Sequence, residues 1–157
     1  MPKEHHYALQ LRWTGNKGRG TTGYRDYDRT HEIVVEGKPL LKGSADPAFL
    51  GDPSLHNPED LLVASLSACH MLWYLHLCAE AGIVVTDYQD DASGTMVQQA
   101  GKAQFTSVLL KPKVVIKAGS DAEKAAQLHE RANELCFIAR SVNFPVGHEP
   151  AIVEEGE

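Results

Sequence analysis

Hydrophobic and polar positions change their rhythm four times along this chain. Residues 5–14, HHYALQLRWT, alternate loosely between apolar and polar side chains and predict a strand. Gly15-Asn16-Lys17-Gly18 is a turn signal, and the β-branched and aromatic residues of 21–29 predict a returning strand. His31 to Val35 predicts another strand, a turn follows at Glu36-Gly37-Lys38-Pro39, and Leu40-Leu41 opens a short edge strand. These make an N-terminal β region over 5–42. The stretch 43–57, GSADPAFLGDPSLHN, holds two glycines and two prolines and reads as a long loop, which either lines a site or crosses between layers.

From Asn57 to Gly82 the alternation disappears and the chain becomes apolar on every side, the pattern of a buried helix. Asn57 is a good N-cap, Pro58 falls at N1, Glu59 and Asp60 complement the positive end of the dipole, and Gly82 supplies the stop. At the usual rise this central helix, 57–82, is about 39 Å long. Beyond Gly82 the period of two returns. Segments starting at Ile83, Ala92, Ala103 and Lys113 predict strands and make a second β region over 83–117. Ser120, with Glu123 three residues on, reads as a capping box opening a second helix over 120–140, whose apolar stripe is Ala125, Leu128, Ala132 and Leu135. His148 to Glu154 is a last strand. Strands, helix, strands, helix, strand is an α+β order, and the whole of 1–157 reads as a single domain.

Charge narrows the function. A net charge of −6 argues against nucleic acid, which requires a basic face. The N-terminus lacks an apolar h-region, so no signal peptide is expected. The central apolar run is borderline for a membrane span by length. It carries histidines, serines and cysteines and has no second span beside it, so no membrane role is expected. Three cysteines without a secretory signal place the chain in a reducing, cytoplasmic compartment, where thiol chemistry or plain burial is expected before a disulfide framework.

Cys69 sits halfway along the central helix, preceded by the small residues Ala64, Ser65, Ser67 and Ala68. Buried cysteines are usually inert, and Cys78 is read as one of those. Cys136 changes the reading of Cys69: it ends the apolar stripe of the second helix, and packing of the two helices would let the thiols meet. A thiolate oxidised to a sulfenic acid condenses with a neighbouring thiol to a disulfide. A thiol in an apolar helix needs a cation to ionise, and Arg12, Arg19, Arg25 and Arg29 are the candidates. Glu59 lies ten residues before Cys69, about 15 Å along one helix axis. If functional, it reaches the Cys69 of an antiparallel second copy, giving a homodimer with composite sites; otherwise it only complements the dipole. His70 and His76 diverge on the helical wheel, and no metal-ligand spacing is present, so neither metal nor cofactor is expected.

The run NPEDLLVASLSACHMLWYLHLC resembles the signature helix of the OsmC/Ohr family of thiol peroxidases, N-P-E-x-L-x-x-A-x-x-x-A-C. Asn57, Pro58, Glu59, Leu61, Ala64, Ala68 and Cys69 carry the match, and a later cysteine, here Cys136, is the family's second hallmark. The resemblance implies antiparallel sheets wrapped around two long central helices in an intertwined homodimer. It implies reduction of organic hydroperoxides by Cys69, resolution by Cys136 and re-reduction by a dithiol, of lipoyl type in the best-known branch. Glu59 and an arginine would hold the thiolate. Arg19, in the glycine-rich GNKGRG, is the nearest match to one branch's arginine and Arg25 a further candidate; the other branch's position is Phe49 here. Typical members read Cys-Pro-x-Ser where this chain has Cys136-Phe137-Ile138-Ala139, the mark of a divergent subgroup. The alternative is a dimeric stress-related module that binds a small hydrophobic molecule in an apolar cleft, with bystander thiols.

Overall fold

The computed structural model describes residues 1–156, which divide into two compact units at the Leu61–Leu62 bond. In the first unit, β1 (Gln10–Trp13), β2 (His31–Val34) and β3 (Leu41–Gly43) form an antiparallel sheet in the order β1-β2-β3. The strand expected over 21–29 does not form. That segment belongs to a long β1–β2 connection organised by local polar bonds instead of a ladder. Asn16 Oδ1 accepts from the backbone N–H of Gly18 (2.9 Å) and Gly20 (3.0 Å), an Asx arrangement that outcompetes extended structure. The Trp13 indole N–H donates to the Asp28 carbonyl (2.9 Å). Gly15 is required there, since a Cβ would lie 1.9 Å from the same Asp28 oxygen.

The loop 43–57 is ordered without a ladder too. Asp46 caps a single 3-10 turn, Pro47–Phe49, by accepting from the Ala48 N–H (2.8 Å), and buried Ser44 accepts from the Asp52 N–H (3.0 Å). It delivers the chain to α1 (Pro58–Glu80). The Asp60 N–H donates to Asn57 Oδ1 (2.8 Å), and the Asn57 N–H reaches back to the Asp60 carboxylate (3.4 Å), a reciprocal capping box. At the other end Gly82 adopts φ +74° and the Ile83 N–H closes onto the Cys78 carbonyl at 2.9 Å, a Schellman stop.

The second unit holds the rest of α1 together with β4 (Val85–Asp90), β5 (Ser93–Gln99), β6 (Lys102–Leu110), β7 (Pro112–Ile116), α2 (Ala122–Leu135), β8 (Val146–His148) and β9 (Ala151–Glu154). Two three-stranded sheets run in the orders β4-β7-β9 and β5-β6-β8. Neither is purely antiparallel, contrary to expectation: β7 pairs with β9, and β6 with β8, in parallel. The reason is connectivity. The chain leaves β7 through α2 before returning at β8 and β9, and a crossover of that length brings a strand back in the same direction. The β5–β6 hairpin turns at Ala100 and Gly101, both with positive φ (53° and 76°), the geometry that matches strand twist.

The central helix is not buried on all sides within one chain. Its buried residues are Leu66, His70, Tyr74 and Cys78, a single stripe at intervals of four, while Leu72 is 62% exposed. Tyr74 and Cys78 pack with Ile83, Val114, Ile116, Ala125, Leu128 and Ala132; Leu66 packs with Val108 and Leu110. By length and composition α1 would pass for a membrane span, with a mean hydropathy of 1.5. Its stripe nevertheless meets strands and α2 in a protein core. Asp90 fastens it there, accepting from the Ser67 hydroxyl (2.5 Å) and from the Lys111 N–H (2.7 Å).

The second helix is shorter than expected at both ends. Asp121, and not Ser120, is its N-cap, accepting from the Lys124 N–H at 3.0 Å, while the Ser120 N–H closes a turn onto Lys117. α2 stops at Leu135. Cys136 takes φ −61°, ψ 115°, which breaks the helix, and residues 139–141 form a separate 3-10 turn. The last strand region likewise splits into β8 and β9 around Glu149-Pro150, since proline cannot donate to a ladder.

Candidate active site

The second unit brings Cys69 and Cys136 together. Cys69 is half-buried midway along α1; Cys136 is buried at the point where α2 ends. Both thiols are free. Burial is the main cause that pushes the Cys136 thiol up to about 11. The amide of Ala139 opposes it, its N–H lying 3.5 Å from Sγ, while a side-chain hydrogen bond and the charge of Cys69 add to the rise. Cys136 therefore keeps its proton at neutral pH. A half-exposed sulfur beside a second free thiol is the arrangement that a sulfenic acid and its resolving partner require, the second thiol losing its proton as it attacks. Cys78 lies on the core stripe of α1, where burial raises its pKa and the Tyr74 hydroxyl partly offsets the rise.

The other expected site residues belong to the first unit. Glu59 is half-buried, and its Oε2 is buried without a hydrogen-bond partner among the described residues. Asp60, not Glu59, completes the capping box, so the helix start does not use the Glu59 carboxylate. Ten residues of continuous α1 keep it about 15 Å along the axis from Cys69 of its own helix. Arg19 and Arg25 are both exposed in the β1–β2 connection. Arg29 is the immobilised arginine of this region. Its guanidinium donates to the carbonyls of Tyr27 (2.6 Å) and Tyr24 (2.5 Å) and lies over both rings, 3.9 Å and 4.7 Å from their centroids. It lines a groove of about 380 Å³ with Trp13, Tyr27, His31, Ser44 and Pro58. Loop 43–57 thus does line a cavity.

A histidine cluster in the second unit was invisible to helical-wheel reasoning. His70 Nε2 and His129 Nδ1 are 2.9 Å apart, and the two rings are nearly parallel (6°) with centroids at 5.2 Å. That separation fits an end-on, in-plane N–H···N bond. Face-to-face contact looks different, as between His129 and Tyr74 with centroids at 3.8 Å and planes at 10°. His148 stands beside both, its ring 5.7 Å from His70, and its Nε2 is 3.4 Å from a Glu130 oxygen. Burial, then the charge of His148, lowers the His70 pKa to about 4, with Asp90 opposing; burial, then His70 and His148, lowers that of His129 to about 3. The pair is therefore neutral and shares one proton. Its outer nitrogens, His70 Nδ1 and His129 Nε2, are buried without partners among the described residues. The shared proton fills the space between the two facing nitrogens, and among the described residues no group of three or more His, Cys, Asp or Glu is arranged to hold a metal ion. Nothing in the sequence flags the pair, because its members lie 59 positions apart.

Comparison with known proteins bears on the same region. Residues 51–149 match the model of a family described as OsmC-like protein. An OsmC-like protein of unknown function from Vibrio cholerae is 30% identical, with a TM-score of 0.85 over 94% of this chain and 100% of its own. An organic hydroperoxide resistance protein from Elizabethkingia anophelis has a TM-score of 0.67 at 18% identity, covering 98% of this chain and 100% of its own. The organic hydroperoxide resistance protein OhrB of Bacillus subtilis has a TM-score of 0.61 at 20% identity, covering 92% and 98%.

Proposed function

The chain belongs to the OsmC-like family, and from that premise we propose that it reduces organic hydroperoxides through a Cys69–Cys136 thiol cycle. The observation that carries this reading is the pairing of a half-exposed Cys69 with a buried Cys136 that retains its proton. Thiolate Cys69 attacks the outer peroxide oxygen, the O–O bond breaks, and the alkoxide leaves as an alcohol after taking a proton. The Cys69 sulfenic acid then condenses with the Cys136 thiol, releasing water and forming the disulfide. An external dithiol, such as a lipoyl-type one, reduces that bond by exchange.

The working unit in this reading is a homodimer in a reducing compartment. An α1 whose outer face presents Leu72, and a β1 whose Leu11 and Trp13, with Leu9 just before the strand, are exposed, would be covered by a second copy. The unpaired Glu59 oxygen and an arginine of the first unit would then serve the partner's Cys69. Among the arginines, Arg29 is the one held by hydrogen bonds and so pre-organised, with the exposed Arg19 and Arg25 as alternatives. The aromatic groove beside Arg29 also suits the second reading, a module binding a small hydrophobic molecule.

One comparison decides between them. Cumene hydroperoxide consumption with excess dihydrolipoamide is expected to vanish in Cys69→Ser; in Cys136→Ser turnover through the Cys69–Cys136 disulfide is lost and Cys69 is over-oxidised. Equal consumption by Cys69→Ser and the parent would end the thiol reading.

A further inference from the structure

In this chain the segment after the second cysteine is Phe137-Ile138-Ala139, and the structure gives its aromatic residue a partner on α1. The Phe137 ring stands edge-on to Trp73, with centroids 5.4 Å apart and planes at 75°. Trp73 lies four residues beyond Cys69, on the same helical face. Phe137 directly follows Cys136. The thiol pair and the aromatic pair are thus successive ties between the same two segments. Trp73 is itself steadied by His76, edge-on at 5.8 Å, which in turn reaches Glu80 at 3.4 Å.

The backbone of Cys136 is bound only to its own neighbourhood. Its N–H donates to Ala132 (2.9 Å), and its carbonyl accepts from Arg140 (3.0 Å). Ile138 is packed with Leu66, Val108 and Leu110 and belongs to the core. Phe137 differs, because it is 66% exposed. Its ring can be removed without opening a buried cavity, and what is lost is the contact with Trp73, the tie to α1 on the Cys69 side of the segment.

We propose that Phe137, docked on Trp73, is a positioning residue that keeps Cys136 beside Cys69 and so sets the fate of the Cys69 sulfenic acid; this rests on the hydroperoxide-reductase reading above. Two reactions compete for that acid. Condensation with the Cys136 thiol forms the S–S bond and releases water. A second hydroperoxide instead transfers an oxygen to sulfur, giving the sulfinic acid and the alcohol. An edge-to-face pair shifts the docked population by about two- to ten-fold, so undocking slows the first reaction by that factor and leaves the second untouched.

The test follows oxidised species by rapid quench and mass spectrometry, in parent and variants, after one equivalent and after an excess of cumene hydroperoxide. Phe137→Ala is expected to oxidise Cys69 at the parent's rate. It should form the Cys69–Cys136 disulfide about two- to ten-fold more slowly and accumulate sulfinic acid at Cys69 in excess peroxide. Phe137→Tyr, which keeps the ring edge, should restore the parent's partition. Trp73→Leu should reproduce the alanine variant, and the double variant should be no worse than either alone. Disulfide formation at the parent's rate in Phe137→Ala would overturn the proposal. Failure of the parent itself to form the disulfide would overturn the hydroperoxide reading beneath it.

Discussion

Replacing both His70 and His129 with leucine should flatten the acid side of the stability profile. In the folded chain these rings sit near pKa 4 and 3, lowered chiefly by burial from an ordinary value of 6.5. A base whose folded pKa is depressed contributes stability that is complete above the unfolded value and lost as pH falls through it, because the unfolded chain takes up protons that the folded one refuses. At about pH 5 each ring is mostly charged when unfolded and mostly neutral when folded. The loss relative to about pH 7.5 is therefore about 2 kcal/mol per ring, or about 4 kcal/mol for the pair. That is a large share of the roughly 5–15 kcal/mol that holds a domain together. Urea denaturation at intervals between these pH values measures it directly. The parent's midpoint should fall steeply, and that of the double leucine variant should barely move. At neutral pH the single variant His70→Leu should be less stable than the double, since it strands the buried His129 Nδ1 at a cost of about 1–3 kcal/mol. An unchanged pH slope in the double variant would refute the assignment of the acid sensitivity to this pair.

Resolution of the sulfenic acid should also rise with pH, but over a more alkaline window. Burial, the main cause holding Cys136 near 11, persists after Cys69 is oxidised, so disulfide formation should accelerate about ten-fold per unit between roughly pH 7 and 9; stopped-flow fluorescence or quenched mass spectrometry would show a flat profile if Cys136 were not the attacking group. Gly51→Ala should destabilise the first unit by about 3 kcal/mol, because the new Cβ would sit 1.6 Å from the Ala45 carbonyl oxygen; a parent-like urea midpoint and unchanged protease resistance at residues 44–56 would contradict that.

Local chemistry was legible where it acts over a few residues. Asn57 caps α1 and Gly82 ends it, because caps and positive-φ glycines act through neighbours in the chain. The same logic misplaced the cap of α2 by one residue, since Ser120 and Asp121 are both competent and only the path of the chain from β7 chose between them. It also took β-branched residues over 21–29 for a strand. Those residues have β propensity but no neighbour to pair with, and side-chain bonds from Asn16 and Arg29 set the local path instead.

The motif around Cys69 marked the cysteine and named the family. Its surroundings were decided elsewhere. Whether Cys136 meets Cys69, whether Phe137 finds Trp73, and whether His70 finds His129 all depend on how α2 and the segment after it pack against α1. So did the helix's burial: composition marked α1 as apolar all round, but packing chose the stripe Leu66–His70–Tyr74–Cys78 as its inner face. The physical division is one of range. Capping, turn geometry and amphipathic period are energies of adjacent residues and are written along the chain. The proton shared by two histidines 59 positions apart, and the proton retained by a cysteine facing another thiol, arise from burial and proximity, which exist only once the chain has folded.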